Sequence, residues 1–552
     1  MSKTMIEGFD PGSIQDIEGA RSAIIMLLNL IEELKQDNQA LREENQRLRD
    51  ENNRLKGEQG KPDIKPNRAQ QGRGDHSSEK ERRRSKKWRK RSKLDQIRID
   101  REETLRVDKE QLPADAEFKG YEEVVVQDIR ISTDNVRFAK EKYYSPSQRQ
   151  VYIAPMPGGY AGQFGPGVRS LVLTLYYAAN MTEPKIGEFL AYMGIVISAG
   201  QISNLLIKEK EGWHEEKEAV WRAGLASTPW QHIDDTATRV DGVNQHCHIL
   251  GNPFYTAYFT RPGKDRLTVI HLLQGSEEVQ LLLNPETETW LELFKTPQWA
   301  QQRIAQWPQE VLLSRSQMET LIQEQVGALN SQQQARIREA AALTAYHTQS
   351  DVPIVDTLVS DDAPQFQQIT QRQALCWIHE GRHYKKLSPF VDYHRQLLDD
   401  FLADFWKFYH QLHSYREQPT PAQAAHLQSE FDTLFSLVTG YQALDKRIAK
   451  TKAKKERLLQ VLDNPALPLH NNPAELGARQ RVRKRDISFG PRTSEGVAAW
   501  DTFATLAETA KKLGVNFYAY IHDRISVAYR MPSLAQLIRQ RDLPLSEDAA
   551  FP

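Results

Sequence analysis

The sequence predicts a multidomain chain: an N-terminal coiled coil, a small β unit, a helix-turn-helix-like group of short helices, and an α/β core with helical insertions. Three observations carry that prediction. Leucines recur every seventh residue near the N-terminus, short β-forming runs alternate with amphipathic stretches after residue 230, and two of those runs stop at paired aspartates. At 552 residues the chain exceeds what one core holds, because domains run to about 100–200 residues.

Composition excludes several classes. The chain carries 73 basic and 73 acidic side chains, so net charge points to no partner, although the distribution of charge does. Two cysteines, Cys247 and Cys376, are too few for a disulfide scaffold or a four-cysteine zinc site and fit a reducing cytosol. No apolar stretch approaches the roughly 18 residues needed to span a membrane, and the N-terminus lacks the pattern of a secretory signal. The expectation is a soluble cytoplasmic protein with no membrane partner.

Residues 1–57 form the first segment. Leu27, Leu34, Leu41, Leu48 and Leu55 fill heptad position d, with Ile24, Ile31, Asn38, Asn45 and Asn52 at a. Leucine at d with asparagine at a favours a parallel dimer in one register. Asp37, Glu44 and Glu51 at g face Arg42, Arg49 and Lys56 at e of a second copy, so a homodimer meets no like-charge clash. Residues 58–93 hold a polar linker and then a basic run. In that run Arg82, Arg83, Arg84, Lys86, Lys87, Arg89, Lys90 and Arg91 would bind phosphates by releasing counterions, and Trp88 would stack on a base. The basic run follows the leucine repeat, whereas in a leucine-zipper DNA reader it precedes it.

Residues 94–163 are β-rich, with alternation over 124–156 predicting two to four antiparallel strands. Within 164–212, three amphipathic segments (168–180, 183–193 and 199–210) have the short breaks of a helix-turn-helix. The first half of the α/β core, 213–276, contains a strand ending at Asp234 and a hairpin turning around Gly251–Asn252. A helical insertion occupies 277–350. Core strands return over 351–383, one ending at Asp361 and the next running from Ala374 to Ile378. A second helical insertion fills 384–465, and 466–528 carries a helix with Glu475 near its start. Residues 529–552 form a tail rich in proline and charge.

Strand, hairpin, helix, strand, helix is the order of an RNase H-like core, in which the first and fourth strands are neighbours. Asp234 and Asp361 then come together, and close carboxylates repel unless a cation lies between them. Mg²⁺ suits such a site because it takes few protein carboxylates and completes its shell with water and phosphate. Two such ions can activate a hydroxyl and stabilise the leaving oxygen of a phosphodiester.

The segments IDDTATRV, LVSDDAPQF, CWIHEGRH and NNPAELGARQRVRKRDISFGPRTSEG resemble the bacterial DDE transposases of the insertion-sequence 66 type over roughly 165–526. In that family D-x-T ends the first strand, an aspartate ends the fourth, C-W-x-H-x-x-R follows, and an N-N-x-x-E-x-x-x-R helix supplies a glutamate. The resemblance implies Asp234, Asp361 and Glu475 as the catalytic and metal-binding triad, with Thr236, Cys376, Trp377, His379 and Arg382 as motif residues. It implies two Mg²⁺ or Mn²⁺ ions and double-stranded DNA, both terminal inverted repeats and target, as partner. A homodimer and accessory proteins of the same element complete the implied assembly. Arg479, Arg481, Arg483, Lys484 and Arg485 are expected to meet DNA phosphates. Family members commonly carry a cysteine-rich zinc stretch after the coiled coil; this interval has no cysteine, so no zinc is expected. The other readings left open are a catalytically silent DNA-binding regulator on the same scaffold and an RNase H-like nuclease.

Overall fold

The computed structural model describes residues 14, 16–55, 97–113, 115–129, 131–160 and 162–541. The linker and basic run, with Arg82 to Arg91, lie outside them. Two compact units result: one takes the described residues of 1–73, 155–187 and 198–552, the other those of 74–154 and 188–197.

The smaller unit contains one hairpin, β1 (Lys142–Ser145) against β2 (Gln150–Ile153), with Lys142 opposite Ile153. These two strands are the lower end of the expected two to four; among the described residues no strand forms over 124–129, and Val124, Val126 and Ile129 are exposed. The alternation is present, but β propensity expresses itself through cross-strand partners, and no described segment pairs there. The three expected short helices do form, at Pro166–Leu173 (continued by a π turn, Thr174–Ala178), Glu183–Tyr192 and Ala199–Ile207; the first and third belong to the larger unit. Ser198 caps the third by accepting the Gln201 N–H.

In the larger unit, the N-terminal heptads form one helix, Ile17–Leu55. Its root is fastened by residues outside the a/d seam. Glu32, 3 % exposed, accepts the Phe390 and Val391 backbone N–H groups (2.8 and 2.9 Å), so it caps the helix Asp392–Glu417 from another element. Asn29 does the same for the helix Gln442–Lys452, accepting from Gln442 N (2.9 Å) and donating to the Gly440 carbonyl (2.7 Å). The leucines at d stay open, from 41 % exposed at Leu27 to 83 % at Leu55.

The core is a five-stranded mixed sheet. Strands β3 (Trp230–Val240), β4 (Val243–Asn252) and β5 (Tyr255–Arg261) form an antiparallel meander. A two-stranded ribbon, β6 (Leu281–Leu282) with β7 (Leu312–Leu313), belongs to the first insertion. Strands β8 (Thr357–Ser360) and β9 (Arg372–Leu375) add in parallel, giving the order β5-β4-β3-β8-β9. The expected adjacency of the first and fourth core strands is therefore present.

Turn positions differ from expectation. The β3–β4 turn is Asp241–Gly242, both at positive φ (46° and 78°), the pair a type I′ turn favours. The chain runs straight through Gly251–Asn252, because Asn252 is a buried anchor donating to the Gly224 carbonyl (3.0 Å) and pairs with Tyr255 in register. The second reversal thus falls at residues 253–254. Likewise β3 does not end at Asp234 but continues to Val240, and β9 stops at Leu375, so Trp377 to Lys385 is helix rather than strand.

The helix Asn472–Ser488 packs on β3 and β4, and Ser494–Lys512 on β5. Gly477 makes the first contact close: a Cβ there would lie 2.7 Å from Ile249 Cγ2. Both insertions are helical. The second builds its core on Trp377, fully buried among Phe405, Phe408, Phe431 and Phe435. The expected tail begins later than residue 529, since Leu534–Arg539 is a helix that buries Leu534 and Ile538 against the helix Glu211–Ala226.

Candidate active site

Register places the acids. In β3, Asp234 pairs with Ile249 and Thr236 with Cys247, and directly opposed residues share a face. That is the face on which Ile249 meets Gly477 of the Glu475-bearing helix. Strand β8 pairs with β3 at Trp230–Thr357 and His232–Val359, and the same register carried two residues further sets Asp234 beside Asp361, just past the end of β8. Glu475 sits in the first turn of Asn472–Ser488, 9 % exposed.

Electrostatics agree with this convergence. Burial pushes the Asp234 carboxyl up to about 7; the Asp235 backbone N–H (2.8 Å) opposes the shift, while the charges of Asp361, Glu475 and Asp235 add to it. The neighbouring aspartates are engaged elsewhere. Asp362 is clamped by Arg457 (2.6 Å) and Lys454 (2.8 Å), and although burial alone would raise its carboxyl, these cations hold it below the usual range. Asp235 accepts from Gln365 Nε2 (2.9 Å) and pairs across the strands with His248.

Glu475 is held by the helix that starts after Cys376. Arg382 donates to Oε2 (3.0 Å) and also to His379 Nε2 (3.2 Å). Guanidinium only donates, so His379 Nε2 is the acceptor and its proton belongs on Nδ1, 3.5 Å from Glu475 Oε1. Burial keeps the imidazole below its usual range, with Arg382 adding to that and Glu475 opposing it. Asn471 ties the pieces together. Its amide donates to the Ile233 carbonyl (2.7 Å), its Oδ1 meets His232 Nδ1 (2.9 Å), and its N–H points at Cys376 Sγ (3.3 Å). Trp377 anchors the same helix, donating from Nε1 to the Leu458 carbonyl (2.9 Å).

The donor set fits a hard divalent cation. Glu475 Oε1 is buried with no hydrogen-bond partner, and Asp234 carries charge that its acidic neighbours oppose. Among the described residues, Cys376, His379 and Glu475 also have ligand atoms within 4.8 Å of one another. Burial pushes the Cys376 thiol up to about 12, helped by the charge of Glu475, and a thiol that keeps its proton is a poor ligand. Of the donors here, the carboxylates are the ones whose chemistry suits such a cation.

The basic stretch after Glu475 differs from expectation. Arg481 is buried, donating to Thr260 Oγ1 (2.8 Å) and lying over the Trp500 ring (4.5 Å). Lys484 is buried over Tyr176 and donates to its carbonyl (2.5 Å). These two face the protein interior, not DNA; a 3.6-residue period inside a basic run hides which cations turn inward. Arg483 is exposed, and Arg485 donates to the Ala237 carbonyl (2.6 Å). Sequence reasoning also missed Lys454, Arg457 and Gln365. Nothing local marks them, because their contacts to Asp362 and Asp235 span 92 to 130 residues.

A sequence model of the transposase IS66 family matches residues 303–499. An uncharacterized protein, y4jO, from Sinorhizobium fredii (strain NBRC 101917 / NGR234) is 32 % identical over 306 residues, covering 55 % of this chain and 94 % of the relative. No solved structure matches the chain. Family match, relative and site geometry lead to one conclusion: the chain belongs to the IS66 transposase family.

Proposed function

We propose that the chain is a DDE-type DNA transposase with an RNase H-like catalytic core, nicking the ends of its element and joining the resulting 3′-OH to target DNA. The observation that carries this reading is the convergence of Asp234, Asp361 and Glu475 at one end of the sheet, with Asp234 pushed up by burial and further by the charges of the other two. Two Mg²⁺ or Mn²⁺ ions held by these carboxylates would supply an activated water or sugar hydroxyl and stabilise the leaving oxygen. The chain's own contribution is positional. Strands β3 and β8 fix the two aspartates, Gly477 lets the glutamate helix approach the sheet, and Arg382 with His379 orients Glu475. The group of three short helices would hold terminal inverted repeats, and pairing of Ile17–Leu55 with a second copy would bring two element ends together.

The test is strand transfer by purified protein, given Mg²⁺, a labelled duplex bearing the element's end, and a supercoiled target. Wild type is expected to join the end, and Asp361→Asn, which removes charge with little change in shape, is expected to lose joining by about a thousandfold or more. Equal cutting by both proteins would place the active site elsewhere. Binding of the end by both, with cutting by neither, would favour the silent regulator.

A further inference from the structure

The first insertion, expected only as a helical segment, walls an open groove of about 570 Å³ that ends at the loop following Asp361. One wall comes from the turn after β5 and the start of the helix Arg266–Gln274, contributing Lys264 and Arg266. The insertion adds Lys295 and Arg336 to the lining, and the post-β8 loop adds Gln365 and Gln368. The groove's two acids are already committed. Glu339 pairs with Arg266 (3.2 Å), and Asp265 caps its helix by accepting the Thr268 N–H (2.8 Å). Lys264 and Lys295 are exposed, so four cations against two carboxylates leave the lining with an excess of two positive charges. The groove is coupled to the catalytic strand, because Gln365 donates to Asp235 beside Asp234 and Arg266 donates to the Pro364 carbonyl (3.3 Å).

We infer that this groove binds the phosphodiester backbone of DNA flanking the reacting phosphate. An open cationic groove with Lys264 and Lys295 exposed in its lining suits phosphate oxygens, which lysine and arginine side chains recognise without reading sequence. It also offers phosphates the cations that Arg481 and Lys484, turned inward, do not. The inference rests on the transposase reading above.

The experiment compares full-length wild type with Lys264→Glu/Lys295→Glu and with the milder Lys264→Gln/Lys295→Gln. Anisotropy titrations over a salt series use two duplexes, one bearing the element's end and one of unrelated sequence. The charge reversal is expected to weaken binding by about tenfold or more and to lower the slope of log affinity against log salt by about 1.8, near 0.9 for each phosphate no longer neutralised. The neutral pair should lose a similar slope with a smaller loss of affinity, with circular dichroism and Tm unchanged in both. Loss confined to the element-end duplex assigns the groove to the donor strand, and loss confined to the unrelated duplex assigns it to target. Wild-type binding and cutting with unchanged variant affinity and slope overturn the groove while leaving the transposase reading intact. A wild type that binds neither duplex overturns both.

Discussion

Glu216, partly buried on the helix Glu211–Ala226, accepts a hydrogen bond from the Tyr520 hydroxyl. Burial pushes its carboxyl up to about 7, with Arg524 opposing the shift. The folded protein therefore holds this proton more tightly than the unfolded chain. The stability the group contributes is present below its ordinary value of 4.5 and is lost as pH rises through about 7. Glu216→Gln keeps the contact without the titration. Its Tm is expected to match wild type near pH 4.5 and exceed it at pH 8, reflecting a stability difference on the order of 1–3 kcal/mol; a constant offset across that range would rule out Glu216 as the source. Under the proposed function Arg382, which donates to Glu475, would be a positioning residue acting through it. Arg382→Ala should raise the Mg²⁺ concentration for half-maximal cleavage and lower activity by about 10–100-fold. Arg382→Lys should recover little, because an ammonium cannot bridge Glu475 and His379 as the planar fork does. An unchanged Mg²⁺ dependence in the alanine variant would remove that role.

At the scale of elements, the contact between the glutamate helix and the sheet is decided by one missing methyl. Gly477→Ala must push Ile249 or lift the helix, at a cost of about 1–3 kcal/mol, and melting curves with strand-transfer rates should fall together. If Tm falls while the rate holds, the closeness matters for packing alone. Glu32→Ala leaves two N–H groups without their cap, a loss of about 1–2 kcal/mol. Hydrogen exchange should then speed up over residues 17–34 and at the start of Asp392–Glu417, and protection equal to wild type would contradict the clamp. Much at this scale was legible from sequence. The heptads, the three short helices and the run that stops before Asp361 have local signals of period or composition, whereas the expected stop at Asp234 is overridden by the Asp241–Gly242 turn further on. What was not legible depended on partners distant in the chain. The run at 124–131 alternates like a strand but has no described segment to pair with. Asn252 looks like a turn residue until its amide is seen bonded to Gly224. Arg481 and Lys484 look like surface cations until Trp500 and Tyr176 are seen beneath them.

On the scale of the whole molecule, the arm helix has divided its faces between two tasks. Asn29 and Glu32, at heptad positions f and b, fasten it to the second insertion, while the a/d seam remains open. Sedimentation of the full-length protein is expected to show a dimer, and Leu34→Asp/Leu41→Asp to show a monomer of unchanged helix content. A wild type that sediments as a monomer at micromolar concentration would exclude the seam as a dimer contact. The fastening gives that pairing a mechanical meaning. From Glu32 to Leu55 the helix projects 23 residues, about 35 Å at 1.5 Å per residue. A limp strap would let two catalytic bodies tumble independently. A rod capped into the body at its root would act instead as a splint, so that under the proposed function joining two rods would fix the angle and spacing between two active sites. The stagger between cuts on two DNA ends would then be set by the length of a helix.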